Sequence, residues 1–468
     1  MSEEIHDQEN TFRDSIATID ESGGRKWIFA KKPAGKYYRY RTLVSILLLA
    51  VFFITPFIKL NGEPFLVLNF FDRKFIIFGI FFWPQDSYIL FLMMISFMVF
   101  IILFTVIYGR LFCGWACPQT IFLEMLFRKI EYWIEGDFKE QIKLKKQKWN
   151  LEKIWKKGLK NLIFIAISWV IINTLISYFV GIDKLKEMIS AGVDEYKTGF
   201  LVMMFLTIVF FIVFSWFREQ VCIFVCPYGR LQGVLLDKKS IVVSYDYKRG
   251  ETRSPFKNNE NRQEAGKGNC INCYQCVMVC PTGIDIRNGT QLECVNCTAC
   301  IDACDEVMQN HNMPKRLIRY ASEENIAEGK PFRISWRIAA YSTVLLLLIS
   351  LLFTLLLTRK PLYATILHTQ GQLYQVIDDS TVSNLYNIKI INKSNKEYTI
   401  DVLAENQSAK VSFIGNKQLV VKPYSSSESI FFLYLNKNKE KLKSGEVEFS
   451  IFANGKMIKK KKATFIGL

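Results

Sequence analysis

Cys270-x2-Cys273-x2-Cys276-x3-Cys280-Pro281, then twelve residues, then Cys294-x2-Cys297-x2-Cys300-x3-Cys304 is the stretch on which the reading of this chain turns. Eight thiols fall within 35 residues in two copies of one spacing, offset by 24, and the flanks repeat as well (Cys270-Ile-Asn-Cys against Cys294-Val-Asn-Cys). Three cysteines at i, i+3 and i+6 on a tight loop reach one face of an iron–sulfur cubane. The fourth, followed by proline, is turned away and ligates the other cluster of a pair. This assigns Cys270, Cys273, Cys276 and Cys304 to one 4Fe-4S cluster, and Cys280, Cys294, Cys297 and Cys300 to a second. Structural zinc, the other use of clustered thiols, takes separated Cys-x2-Cys pairs rather than two runs of four. The second run has Asp305 where the first has proline, which weakens the symmetry and not the ligand count.

Outward from that stretch the composition belongs to a membrane. Of 468 residues half are hydrophobic, 38 are phenylalanine, and the formal charge is +17. Five stretches are apolar and long enough to span: Thr42–Ile58, Tyr88–Tyr108, Asn161–Val180, Gly199–Phe217 and Ile338–Leu357. A sixth, Phe75–Trp83, is too short and is expected to rest at the outer interface. The first forty residues are polar, so the first apolar helix is expected to be an uncleaved anchor. Lys plus Arg number 8 before the first span, then 3 in 59–87, 12 in 109–160, 3 in 181–198 and 17 in 218–337. That alternation puts the N-terminus and the two basic loops in the cytoplasm and the tail outside. All twelve cysteines then lie on the reducing side, where free thiols and iron–sulfur centres belong. Topology accounts for the basic residues without a nucleic-acid partner.

The expected domains are therefore a cytoplasmic segment 1–41, four spans over 42–217 with the loop 109–160, and a cytoplasmic ferredoxin domain over 218–337. A fifth span at 338–357 and an extracytoplasmic domain at 358–468 follow. In the first segment Trp27, Tyr37, Tyr38 and Tyr40 alternate with Lys and Arg, suiting either an anionic membrane surface or a plain topogenic flank. Glu124 to Lys160 is charged and amphipathic and is expected as helices along the inner surface. The tail shows alternating runs at Leu385–Ile391, Tyr398–Leu403, Lys417–Val421, Ser429–Leu435 and Glu446–Phe452, separated by Asn, Gly, Lys and Ser. These predict a β-sandwich without disulfides.

A second pair of motifs sits just past the second and fourth spans: Cys113-x3-Cys117-Pro118 and Cys222-x3-Cys226-Pro227. If locally helical, thiols at i and i+4 share a face, and the proline ends the turn that carries them. Four such thiolates suit a soft metal (Cu(I), zinc or iron–sulfur) or thiol–disulfide chemistry. Alternatively they are small residues packing helix ends. Methionines 93, 94, 98, 203 and 204 suggest either a copper path or ordinary bundle packing. The three histidines, His6, His311 and His368, lie outside the spans, so a bis-histidine haem across the bilayer is excluded. No glycine-rich nucleotide loop is present. The electron donor is left as another protein, a quinol or a small reductant.

Taken in order, Leu111 to Thr120, Glu219 to Gln232, Val243 to Glu251 and the double cysteine run resemble the cytochrome c oxidase accessory proteins CcoG, also called FixG or RdxA. The resemblance covers nearly the whole chain. It implies a multi-domain membrane protein: a helical transmembrane bundle of about five spans, a bacterial-type double-cluster ferredoxin insertion, and a C-terminal all-β immunoglobulin-like sandwich. It further implies an inner-membrane electron-transfer protein, a cupric reductase making Cu(I) for maturation of cbb3-type cytochrome c oxidase alongside a copper-transporting ATPase. The eight ferredoxin cysteines would carry electrons, and Cys113, Cys117, Cys222 and Cys226 would bind or receive copper. Two other functions fit the same motifs: a quinol-oxidising ferredoxin module, and a non-catalytic oxidase assembly scaffold.

Overall fold

The five long apolar stretches of the sequence are helical, because a helix satisfies its own backbone without water. In the computed structural model the described residues are 18–19, 24–60, 62–70, 74–257, 261–329, 331, 333–369, 374–378, 381–405, 409–414, 419–436 and 445–466. His6 and most of the first twenty residues lie outside them, as do the first two residues of the expected strand Lys417–Val421. Among the described residues five helices are long and apolar enough to cross a membrane: Lys36–Phe57, Pro84–Tyr108, Leu151–Val180, Lys197–Phe217 and Trp336–Leu357. They end within one residue of the expected spans but begin two to ten residues earlier. Apolar composition marks only the part of a helix that meets lipid, and long basic side chains carry the helix further while keeping their charge in water. The third helix starts at a capped turn, where the Asn150 side chain accepts from the Lys153 N–H at 2.9 Å.

The chain forms two compact units, residues 1–57 with 92–350, and residues 58–91 with 351–468. In the first, rings of Phe122, Phe127, Phe164 and Phe214 build a buried aromatic core among the long helices. The expected amphipathic stretch is broken into a π-helical turn, Ile121–Phe127, and helices Arg128–Glu135 and Phe138–Lys146. Trp133, Trp149 and Trp155 stand exposed along it and at the start of the third long helix, as interfacial tryptophans do.

The ferredoxin region is joined to these helices by polar contacts. Helices Gln275–Met278 and Ala299–Asn310 follow the two cysteine loops, and strands Val242–Tyr245 and Ile318–Ala321 pair antiparallel beside them. The Asp302 carboxylate accepts from the N–H groups of Tyr37 (3.1 Å) and Tyr38 (2.8 Å), so a ferredoxin helix caps the first long helix. The N-terminal segment also makes contacts to protein. Lys31 N–H donates to the Met278 carbonyl at 2.8 Å, and the Trp27 ring lies between the guanidinium groups of Arg25 (4.4 Å) and Arg218 (5.1 Å). Tyr40, Lys36 and Arg39 of the same segment remain exposed.

In the second unit two antiparallel sheets face each other. One orders Ala409–Phe413, Ser426–Asn436, Thr381–Asn392 and Leu362–His368, with Gln375–Asp378 also on Thr381–Asn392. The other orders Leu419–Val421, Tyr398–Ala404, Gly445–Ala453 and Lys456–Phe465. Tyr386, Phe431 and Phe449 fill the space between them with no exposed surface, their centroids 5.2–5.5 Å apart. All five expected strands are present, and four more were not expected. Lys456–Phe465 escaped because its run Lys459 to Lys462 hides the period of two, although Ala463 and Phe465 point inward.

Phe75–Trp83 does not form a spanning helix, as its length predicts. It forms strands Lys74–Ile77 and Ile80–Phe82 of a three-stranded sheet begun by Leu66–Asn69. Part of its apolar surface is covered by protein, with Ile76 and Phe81 buried and the Phe81 ring stacked on Tyr424 at 4.2 Å, while Phe78 and Ile80 stay exposed. Beside it, Asp86 is held by Arg359 (2.7 Å) and Lys393 (2.5 Å).

Candidate functional site

Two cavities in the ferredoxin region sort the eight cysteines. Cys270, Cys273, Cys276 and Cys304 line one, with Tyr245, Arg287 and Met308. Cys280, Cys294, Cys297 and Cys300 line the other, with Pro281 and Thr298; Cys276 reaches its wall as well. The sequence repeat is also a backbone repeat. Asn272 and Tyr274 take φ of 54° and 56°, and their equivalents 24 residues on, Asn296 and Thr298, take 53° and 66°. Left-handed residues alternating with right-handed ones fold successive N–H groups into a concave nest that favours an anion, here a thiolate-ligated cluster. Among the described residues no three Cys, His, Asp or Glu are spaced to hold one metal ion. Thiols set apart around a cavity suit a multinuclear cubane better than a single ion, so the donor set fits two 4Fe-4S clusters.

The paired Cys-x3-Cys-Pro motifs do not form continuous helices. Cys113 lies in the short helix Leu111–Trp115 and Cys222 in the π-helical turn Val221–Val225. Cys117 and Cys226 then extend (ψ 126° and 109°), and each caps a new helix with proline in its first turn. The ring of a following proline disfavours the helical region for the residue before it, which accounts for the break. The four thiols nevertheless lie near enough to feel one another's charge, although no three of them are spaced to hold one metal ion. Burial pushes the Cys113 thiol up to about 12, helped by Cys117 and Cys226 nearby. Burial likewise raises Cys117 and Cys222, and Cys222 also feels the other three. Burial thus favours the neutral thiol at Cys113, Cys117 and Cys222, and a thiophilic cation would have to displace their protons.

This tetrad abuts the second cysteine loop. Cys113 packs against the cluster of Val279, Val295, Cys297 and Ala299. Gly114 is required there, because a Cβ would stand 2.6 Å from the Val295 carbonyl oxygen. Arg41 fastens the contact, donating to the carbonyls of Gly114 (3.0 Å) and Cys297 (2.9 Å). Arg110 donates to the Leu292 and Gly229 carbonyls, joining both motifs to the ferredoxin. The Cys113 thiol donates to Gln232 Oε1 at 3.0 Å. Arg41, Arg110 and Gln232 did not stand out in the sequence; the one available signal was Arg110 three residues before the first thiol.

A buried ion network lies alongside. Glu131 pairs with Arg218 (2.8 Å) and Lys160 (3.3 Å), while Arg128 pairs with Glu124 (2.9 Å) and Glu219 (3.5 Å). Burial alone would raise the Glu131 carboxyl, but Arg218 and Lys160 outweigh it and hold it down at about 2. The methionines do not converge. Met203 is buried beside Ile182 and Leu185, whereas Met94, Met98 and Met204 are exposed on helix surfaces.

Comparison with known proteins agrees with this layout. Residues 217–323 match the 4Fe-4S dicluster domain family and residues 90–139 a 4Fe-4S binding domain family. Residues 352–468 match the family described as an IG-like fold at the C-terminal of FixG. Protein RdxB of Cereibacter sphaeroides is 34% identical over 85% of this chain and 86% of its own length. Protein RdxA of the same organism is 30% identical, covering 87% and 88%. Nitrogen fixation protein FixG of Rhizobium meliloti is 32% identical, covering 82% and 80%.

Proposed function

Because the chain belongs to the FixG/RdxA family of membrane iron–sulfur proteins, we propose that its electron transfer serves to reduce Cu(II) to Cu(I). Each turnover takes one electron, Cu(II) + e⁻ → Cu(I), and one-electron transfer is the chemistry 4Fe-4S clusters supply when bound. Cys270, Cys273, Cys276 and Cys304 would hold one, and Cys280, Cys294, Cys297 and Cys300 the other. Cys113, Cys117, Cys222 and Cys226 receive the copper. Their thiols match its softness once reduced, and release of their protons on binding offsets the cation's charge. Arg41, Arg110 and Gln232 fix that tetrad against the second cysteine loop. The reading rests on one observation above all: the Cys113 side chain packs on the cluster of residues that includes Cys297.

On this reading the N-terminus and all cysteines face the cytoplasm of a bacterial inner membrane and the sandwich lies outside, as the basic loops suggest. The Cu(I) serves maturation of a cbb3-type cytochrome c oxidase through a copper-transporting ATPase, and the sandwich docks an assembly partner. The test is anaerobic. Clusters in the purified protein are reduced with dithionite, the excess is removed, and substoichiometric Cu(II) is added beside a Cu(I)-specific chelator. Cluster reoxidation matched one-for-one by Cu(I), and lost in Cys113→Ala with iron content unchanged, supports the proposal. Clusters that stay reduced in the presence of Cu(II) refute it.

A further inference from the structure

The first unit holds a cavity of about 410 Å³ among its long helices. It falls in the size range of small-molecule sites. Of the residues lining it only Gln119 is polar, and Phe52, Phe122, Phe210 and Phe214 supply aromatic walls. Its position is more informative than its size. Ala116, Pro118 and Gln119 form part of the wall, so the cavity ends at the backbone that carries Cys117. The Gln119 Nε2 donates to the Arg218 carbonyl at 3.4 Å, which leaves its amide oxygen to accept a hydrogen bond. Leu175 lines the cavity yet is 38% exposed, so the walls are not closed on every side.

We infer that this cavity binds a lipid-soluble hydroquinone, the electron donor for the iron–sulfur centres. The inference rests on the proposed electron transfer and names what feeds it. An aromatic, apolar chamber between membrane helices takes a flat ring with an alkyl tail, and a single amide orients one ring hydroxyl. In the step, the hydroquinone loses two electrons and two protons and becomes the quinone. The electrons pass one each to the two 4Fe-4S clusters by way of the Cys117 and Cys113 side, and the protons leave to water. Two one-electron acceptors match a two-electron donor. Arg41 and Arg110, set against the second cysteine loop, add positive charge there, which favours the reduced, more negative state of a nearby cluster.

The experiment uses the full chain with its clusters in detergent and decylubiquinone as the probe. Equilibrium binding is measured first, with undecane as a competitor that has a tail and no ring. Decylubiquinol is then added anaerobically to oxidised protein, and cluster bleaching and quinone formation are followed together. We expect one decylubiquinone bound per chain, not displaced by undecane, and one quinone formed for every two clusters reduced. Leu175→Trp, which fills the cavity from a part-exposed position, should weaken binding and slow bleaching at least tenfold. Gln119→Leu should slow bleaching with binding less affected. Iron content and full bleaching by dithionite establish that each variant is folded. Displacement by undecane, or binding and bleaching unchanged in folded Leu175→Trp, overturns the inference. The copper reading is judged separately, because dithionite-reduced protein meets Cu(II) whether or not the cavity takes a hydroquinone.

Discussion

The ferredoxin region and the C-terminal sandwich are of similar length, yet they are stabilised by different physics. Among the described residues the sandwich has twenty buried in one continuous apolar core, and its sequence has no cysteine. The ferredoxin region has a smaller core in which three thiols count among the buried members, and its loops are tied by arginine side chains to main-chain carbonyls. Arg262 alone donates to the carbonyls of Ser254, Pro255, Gly268 and Cys270. One region folds by removing apolar surface from water, and the other needs metal to complete its interior.

The sharpest way to break that comparison is to remove ligands. Cys276→Ser combined with Cys297→Ser should abolish visible cluster absorbance and most bound iron, and leave 218–337 open to limited proteolysis. The sandwich should remain resistant; digestion of both would show that they do not fold separately. Next in size, Phe449→Ala should destabilise the sandwich by about 3–5 kcal/mol, as a fully buried ring leaves a cavity. Differential scanning calorimetry should show that transition lowered with the cluster spectrum unchanged.

Glu131 tests whether charge holds the helices beside the thiols. Its carboxyl is depressed from 4.5 to about 2 in the folded protein. It therefore contributes about 3 kcal/mol that is fully present above pH 4.5 and lost as pH falls towards 2. Glu131→Gln should destabilise near neutral pH and flatten the acid limb of stability against pH; an unchanged limb would show that the pair is solvated. The smallest effect is expected from Arg41→Ala. Losing its bonds to Gly114 and Cys297 should cost about 2 kcal/mol. It should also slow cluster reoxidation by Cu(II), since the tetrad is then free to drift from the second loop.

Much of this architecture was legible because the signals are local. Cysteine spacing grouped the eight thiols, apolar runs located five helices, and alternation located most of the sandwich. What escaped depends on distant partners. Arg41 reads as one more basic residue before a span, yet its guanidinium meets carbonyls 73 and 256 residues away. Phe75–Trp83 is apolar in any reading, but only the fold shows that Tyr424 covers it. The i, i+4 reading of the paired motifs placed the thiols near one another for a partly mistaken reason, since the following prolines break the helix at Cys117 and Cys226 and the proximity is tertiary.

The central claim is that copper meets electrons at the four thiols beside the second cysteine loop. X-ray absorption at the copper edge tests it most directly, on clustered protein loaded anaerobically with one equivalent of Cu(I). The account predicts a shell of sulfur alone, replaced by nitrogen and oxygen in Cys113→Ala combined with Cys226→Ala while iron content is unchanged. A nitrogen and oxygen shell in the wild-type protein, or a sulfur shell untouched by those substitutions, would contradict it.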